Sequence, residues 1–167
     1  RSGPALAALV GLLHGRYRVS ARETAALVHE LWGVPLGLGT VVGLWERVGT
    51  ALEPAHSEVQ QRIERESQAN LDETSWWCGA AKRWLWVATT ARVSLFRIAA
   101  SRAATELVAL LGADFGGIVG SDRYRAYDTL PVERRQVCWA HLKRDVAGYA
   151  AYGGAVGAWG AAALVEQ

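Results

Sequence analysis

The chain has 167 residues, a formal net charge of +2, and a composition that is 51% hydrophobic and 20% charged. These values indicate a globular chain of one domain, or a small domain with a helical segment, and any affinity for a polyanion has to come from a local basic patch. Two cysteines, no resemblance to a signal peptide and no apolar run long enough to cross a bilayer exclude a disulfide framework and a membrane span, so we expect a cytoplasmic protein with reduced thiols.

Helices are predicted for residues 1–68. Ser20 and Glu23 form a capping-box pattern that predicts a helix over residues 20–32, ended by Gly33. A second helix is predicted from Thr40, and Pro54 suits the first position of a further polar helix that acts as a connector. Two helices joined by a short turn are typical of a DNA-reading helix-turn-helix and equally of any helical hairpin, and the sequence leaves both open.

Strand-like runs begin at about residue 69, where we place the domain boundary. Residues 70–77, 82–90 and 92–100 predict a three-stranded antiparallel meander. A helix follows, with Ser101 as its N-cap and Gly112 as its end; its apolar face is expected to hold Leu107, Val108, Leu110 and Leu111.

A fourth strand leads to Asp122, and residues 134–145 read as a short strand that runs into a helix. This order predicts an α/β fold in which the fourth strand lies parallel to the first. Residues 148–160 are rich in glycine and low in charge, and they predict a flexible or incomplete helix.

Two aspartates occur on these strands. Asp72 lies on the first strand and Asp122 at the end of the fourth, so their side chains meet if the two strands are neighbours. Paired carboxylates repel each other unless a cation lies between them, and Mg²⁺ prefers one or two carboxylates together with water and phosphate oxygens. The alternative is that both residues only form turns, and spacing by itself does not exclude it.

Five segments carry a family resemblance: "LDETSWW", "KRWLWVATT", "LFRI", "SDRYRAYDTLP" and "QVCWAHLKRD". Together, and in this order, they resemble the insertion-sequence-sixty-six family of bacterial DDE transposases. The helical stretch "LWGVPLGLGTVVGLWERV" is similar to the region upstream of that family's catalytic domain. The resemblance covers nearly the whole chain.

The resemblance implies a ribonuclease-H-like catalytic domain over residues 69–167, a mixed sheet with flanking helices, preceded by the helical segment. It also implies a divalent metal, Mg²⁺ or Mn²⁺, and the cutting and joining of double-stranded DNA at transposon ends and target. Asp72 matches the family's first catalytic aspartate and Asp122 its second, so both are expected to hold the metal. A homo-oligomer is expected for the full-length protein.

The sequence also departs from the family pattern. Ser75 stands where the family usually has glycine, and the family's third carboxylate, a glutamate in an Asn-Asn-x-x-Glu-Arg context, has no match. Glu166 lacks those neighbours, and zinc-binding cysteines of an amino-terminal region are missing. We therefore expect a fragment or truncated copy that does not itself cleave or join DNA. The alternatives are a non-catalytic DNA-binding remnant and a structural α/β domain.

Further candidate residues follow Asp122. Cys138 and His141 form a Cys-x-x-His pair, and two ligands are too few for a zinc site. The resemblance places His141 near the active centre, where it would bind a phosphate or a metal-bound water. Basic residues interleaved with aromatic ones predict a DNA contact, although a solvated basic face is equally compatible. The basic residues are Arg123, Arg125, Arg134, Arg135, Lys143 and Arg144.

Overall fold

The structure is a computed structural model that describes residues 2–165, and it forms two compact units that divide between Ser57 and Glu58. Helix α1 spans Pro4–Gly15, α2 spans Ala21–Trp32, and α3 spans Leu38–Glu64. None of the described helices is both long enough and apolar enough to span a bilayer.

The first unit is helical, as predicted. Ser20 Oγ accepts a hydrogen bond from the backbone N–H of Glu23, whose carboxylate accepts one from the N–H of Ser20, so the predicted capping box is confirmed. Gly33 ends α2 in the left-handed conformation, with φ of +68°, which favours glycine. Five buried residues form the core of this unit: Ala7, Val10, Val28, Val41 and Leu44. A DNA-reading role for these helices stays a prediction.

The expected helix break at Pro54 is wrong. Helix α3 runs for 27 residues and contains Pro54 in its interior. A proline there lacks the N–H that would bond to the carbonyl four residues earlier, at Thr50. Because Thr50 and residues 51–58 are exposed, water is available to that carbonyl, and a single lost hydrogen bond does not end a helix that is fixed elsewhere along its length.

The second unit contains a five-stranded mixed sheet. Its strands are β1 (Gln68–Cys78), β2 (Ala81–Thr89), β3 (Ser94–Ala99), β4 (Ile118–Ser121) and β5 (Arg135–Val137), in the spatial order β3-β2-β1-β4-β5. Strands β1, β2 and β3 pair antiparallel, which confirms the predicted meander. Strand β4 pairs parallel with β1 and β5 parallel with β4, which confirms the predicted α/β arrangement.

Helix α4 (Thr105–Leu111) packs its buried side chains, Leu107, Leu110 and Leu111, into the core of the sheet. Two details differ from expectation. Ser101 is not the N-cap: its carbonyl accepts a hydrogen bond from the indole N–H of Trp86, and the helix starts after Ala104 instead. Val108 is 57% exposed because it lies one residue off the stripe that faces the sheet.

Two short 3₁₀ helices, Arg125–Thr129 and Val132–Arg134, connect β4 to β5. Strand β5 runs directly into α5 (Trp139–Ala150), as predicted. The glycine-rich tail forms helix α6 (Gly154–Val165) against α5, and its backbone comes so close that a Cβ at Gly160 would lie 2.5 Å from Ala150 N. The segment that was expected to be flexible or incomplete is therefore helical from Gly154 to the last described residue.

Candidate metal and DNA site

The register of β1 and β4 brings the two candidate aspartates to the same level of the sheet. Asn70 pairs with Gly120, two positions before Asp72 on one strand and two before Asp122 on the other. Neighbouring strands lie about 4.8 Å apart, so the two backbones at this level are close neighbours. Gly120 permits this approach, because a Cβ there would lie 2.3 Å from Asn70 Oδ1.

Strand alternation decides which face Asp72 occupies. Along β1 the side chains of Ala69, Leu71 and Glu73 are buried, whereas Asp72 between them is exposed. Asp72 opens onto a shallow cavity of about 90 Å³ that also involves Thr74. Asp72 thus lies on the face of the sheet opposite the core that α4 covers, where a ligand has access to it.

Both aspartates also form local hydrogen bonds. Asp72 Oδ1 accepts a hydrogen bond from the Glu73 N–H at 2.9 Å. Asp122 Oδ1 accepts one from the Tyr124 N–H at 2.8 Å, which makes an Asx-turn at the end of β4. Since a carboxylate has two oxygens and several lone pairs, a turn-forming hydrogen bond is compatible with metal binding through the rest of the group.

A buried network lies directly behind Asp72. Glu73 is 8% exposed, and its carboxylate accepts a hydrogen bond from Arg102 Nε at 2.7 Å and another from the Tyr127 hydroxyl. Burying a carboxylate costs several kcal/mol unless it is paired, and these two donors provide the pairing. The sequence prediction missed all three residues. The available signal was the adjacency of Glu73 to Asp72, which puts one of two neighbouring carboxylates into the core.

The same network fixes the loop that carries Asp122. The guanidinium carbon of Arg102 lies 3.6 Å from the centre of the Tyr124 ring and 4.9 Å from that of Trp84. The Tyr124 hydroxyl in turn donates to the Arg102 carbonyl at 3.2 Å. Tyr124, whose N–H bonds Asp122, is therefore connected through Arg102 to Glu73 on β1, so the network links the segments that carry the two aspartates.

The hydroxyl of Tyr127 is the neutral member of this network. Burial raises the pKa of the Tyr127 hydroxyl far above its ordinary value, and the hydrogen bond to Glu73 raises it further. The negative charges of Asp122 and Asp72 add smaller contributions in the same direction. Tyr127 therefore stays a neutral hydrogen-bond donor.

Cys138 and His141 follow β5, the strand that pairs with β4 and so lies beside the segment that leads to Asp122. Ser121 pairs with Val137, so the next positions, Asp122 and Cys138, stand level on neighbouring strands. A hydrogen bond with the His141 side chain lowers the pKa of the Cys138 thiol. His141 is partly buried in the first turn of α5. The structure thus groups Cys138 and His141 on the side of Asp122 away from Asp72.

The six basic residues predicted to contact DNA differ in whether they already have partners within the protein. Arg123 pairs with Asp145, Arg135 pairs with Asp128, and Arg134 donates to the Phe115 carbonyl at 3.2 Å. Arg125, Lys143 and Arg144 are exposed, and the Lys143 ammonium lies 6.0 Å from the centre of the Trp139 ring. The last three are thus the stronger candidates for contacts with DNA.

Among residues 2–165, no group of three or more histidine, cysteine, aspartate or glutamate side chains is placed to hold a metal ion. Glu166, considered above as a possible third carboxylate, lies outside the described residues.

The family model described as "Transposase IS66 family" matches residues 2–162, which is nearly the whole chain. No curated protein matches the chain. The matched range includes Asp72, Asp122 and His141.

Proposed function

Because the chain belongs to the IS66 family of transposases, we propose that it binds transposon DNA and holds a divalent metal through Asp72 and Asp122. The observation that supports this proposal is the parallel pairing of β1 with β4, in which Asn70 lies opposite Gly120, each two residues before one of the matched aspartates. The sheet order β3-β2-β1-β4-β5, with an antiparallel meander followed by two parallel strands, supports a ribonuclease-H-like assignment.

The donor set fits Mg²⁺ or Mn²⁺. Both are hard cations that take oxygen ligands, and Mg²⁺ in particular is commonly bound by one or two carboxylates together with waters and substrate phosphates. When bound, such an ion polarises a phosphate oxygen and activates an attacking oxygen for cleavage and strand transfer. The protein's part would be to hold the two carboxylates at one level, and the parallel pairing of β1 with β4 and the Asx-turn at Asp122 support that role.

The surrounding residues would position the DNA strand. Arg125, Lys143 and Arg144 are exposed cations that follow Asp122 in the chain, and cations of this kind bind phosphates through charge-assisted hydrogen bonds. His141, on the side of Asp122 away from Asp72, would donate a hydrogen bond to a phosphate oxygen. Arg123 and Arg135 would first have to give up their carboxylate partners, so we expect them to contribute less.

The DNA-binding part of this proposal is tested by the salt dependence of affinity. Each phosphate that a cation neutralises releases condensed counterions, so the log–log slope against salt should fall by roughly 0.9 per contact in duplex DNA. We expect Arg125→Glu and Arg144→Glu each to weaken binding of a labelled duplex and to make this slope shallower. Binding should weaken equally for unrelated sequences, because phosphate contacts carry no base information.

Arg92→Glu is the matched control. Arg92 is an exposed arginine in the turn between β2 and β3, at the opposite end of the sheet from Asp122. Fluorescence anisotropy over a series of salt concentrations measures all three variants. An Arg92→Glu effect as large as that of Arg125→Glu, or an affinity that does not respond to salt, would argue against a DNA contact near Asp122.

A further inference from the structure

The hairpin of β1 and β2 extends beyond the rest of the sheet. Pairing of β1 with β4 covers residues 68–70 of β1, and pairing of β2 with β3 begins at Trp84, whereas β1 and β2 stay paired as far as Cys78 and Ala81. Residues 76–83 therefore form a two-stranded ribbon, and no third strand lies on either of its edges within residues 2–165. We call this segment the ribbon.

The ribbon carries two exposed tryptophans, each opposite a cation. Trp76 is 44% exposed and pairs with Arg83, and Trp77 is 64% exposed and pairs with Lys82. Residues 74–80 are all exposed, so these rings do not serve as core within the described chain. Large apolar side chains on a projecting element indicate a binding surface rather than a packing role.

The charge of the ribbon indicates the kind of partner. Residues 76–84 contain Lys82 and Arg83 and no aspartate or glutamate. Tryptophan rings beside cations, without acidic residues, are the combination with which proteins hold single-stranded nucleic acid: the rings stack on bases and the cations bind phosphates. A protein partner with an apolar surface would instead have to remove Lys82 and Arg83 from water, and burying two cations without carboxylate partners is unfavourable.

Strand alternation divides the two tryptophans between the faces. Asp72, Thr74 and Trp76 alternate with Glu73 and Trp77 along β1, so Trp76 is on the face of Asp72 and Trp77 on the opposite face. Trp76 is four residues from Asp72, a distance of about 14 Å along an extended strand at about 3.4 Å per residue. A nucleic acid strand with a phosphate at Asp72 would thus reach Trp76 within a few nucleotides.

We infer that Trp76 and Arg83 form a binding subsite for unpaired bases of the DNA strand whose phosphate lies at Asp72 and Asp122. Trp76 stacks on an unpaired base, and Arg83, directly opposite on β2, binds a neighbouring phosphate. The inference rests on the proposed function, since it uses the same DNA strand. It adds a preference for single-stranded character close to the metal site.

The test compares two labelled DNA molecules with the full 167-residue chain. One is a fully paired duplex, and the other carries a single-stranded overhang of several nucleotides. Base stacking on an aromatic ring contributes about 1 to 3 kcal/mol per base, which corresponds to a roughly five- to hundredfold change in affinity. We expect Trp76→Ala to lose affinity for the overhang DNA by a factor in this range and to bind the paired duplex as the unaltered chain does.

Three further comparisons isolate the stacking contact. Trp77→Ala is the matched control, because it removes the neighbouring and more exposed ring from the opposite face, and we expect it to leave both affinities unchanged. Trp76→Phe keeps an aromatic ring and should recover most of the lost affinity. Replacing the overhang bases by abasic sites should remove the difference between Trp76→Ala and the unaltered chain, since there is then no base to stack.

The outcomes separate this inference from the proposed function. If the unaltered chain binds neither DNA, the proposed function fails. If it binds both and Trp76→Ala binds the overhang DNA equally well, only the subsite is refuted. Equal losses of affinity for the overhang DNA in Trp76→Ala and Trp77→Ala would also refute the subsite. If Trp76→Ala keeps its DNA affinity but self-associates less in sedimentation velocity, the Trp76 ring belongs to a protein interface, and the subsite is again refuted.

Discussion

Glu73 is the residue on which the geometry around Asp72 most depends. Its carboxylate is buried in the core face of β1, where a charge without partners would cost several kcal/mol. Arg102 and Tyr127 offset that cost, and both come from segments that follow the meander. The interactions that satisfy Glu73 also hold the chain on either side of the candidate metal site.

The network predicts unequal losses of stability when Arg102 or Tyr127 is replaced. Arg102→Met removes the cation that pairs with the buried carboxylate of Glu73. We expect the free energy of unfolding to fall by about 2 to 3 kcal/mol, less than the roughly 3 to 5 kcal/mol of a fully buried pair, because the Arg102 side chain is 30% exposed. Tyr127→Phe removes one hydrogen bond and should cost about 1 to 2 kcal/mol. Urea unfolding measures both variants.

Arg97→Met is the control for the network, because Arg97 pairs with Glu106 near the surface of the same unit. A pair of this kind contributes at most about 1 kcal/mol. If Arg97→Met destabilises the protein as much as Arg102→Met does, the burial of Glu73 has no energetic consequence and the network is not the feature that fixes this region.

The thiol of Cys138 provides a test of where His141 lies. Because the hydrogen bond to His141 lowers the pKa of this thiol, its reactive thiolate form should appear at lower pH than the roughly 8.5 of an ordinary cysteine. In a Cys78→Ser background Cys138 is the remaining thiol, and its alkylation rate by iodoacetamide can be followed against pH. We expect His141→Ala to move the midpoint of that profile upward. An unchanged midpoint would mean that the imidazole does not contact the thiol in solution.

The sequence predicted the two candidate metal ligands but not the buried hydrogen-bond network behind Asp72. The strands that carry or lead to Asp72 and Asp122 could be predicted to be neighbours because strand order follows from local patterns, and the structure pairs β1 with β4. The roles of Glu73, Arg102 and Tyr127 depend on contacts across 29 and 54 positions, which no local pattern encodes. Likewise, the partners of Arg123 and Arg135 lie on separate turns and helices, so the sequence could not show that these cations are already paired.

At the scale of elements, local signals succeeded where a single residue has one strong preference. The capping box at Ser20 and the left-handed Gly33 both mark the ends of α2 as predicted. Pro54 and Ser101 misled the prediction because each is compatible with two positions. Proline suits the first turn of a helix but is tolerated inside a long one, and serine suits a cap but also a turn that precedes the helix.

Pro54 therefore gives a direct test of the continuity of α3. If Pro54 lies in the helix interior, Pro54→Ala restores the N–H for the Thr50 carbonyl, and we expect the protein to be more stable, by up to about 3 kcal/mol. If Pro54 instead began a separate helix, proline would already be favourable there, and alanine would leave stability unchanged or lower it. Thermal unfolding of the two proteins distinguishes these outcomes by the direction of the shift.

At the scale of the whole molecule, the arrangement of the sheet and the family assignment agree. The family model covers residues 2–162, and in the order β3-β2-β1-β4-β5 the strand that carries Asp72 is the neighbour of the strand that leads to Asp122. Asp72 projects from the face that α4 leaves open, and the ribbon continues that face away from the core. One exposed face thus carries both the candidate metal ligand and the candidate contact for unpaired bases.

The account as a whole depends on whether Asp72 and Asp122 hold one cation between them. Titration of the full chain with Mn²⁺, followed by the loss of the electron paramagnetic resonance signal of the free ion, measures this without requiring cleavage. We predict one Mn²⁺ site whose affinity falls at least about tenfold, or about 1.4 kcal/mol, in Asp72→Asn and in Asp122→Asn. Asp114→Asn, which alters an exposed aspartate at the other end of β4, should bind as the unaltered chain does. Unchanged affinity in both Asp72→Asn and Asp122→Asn would contradict the account.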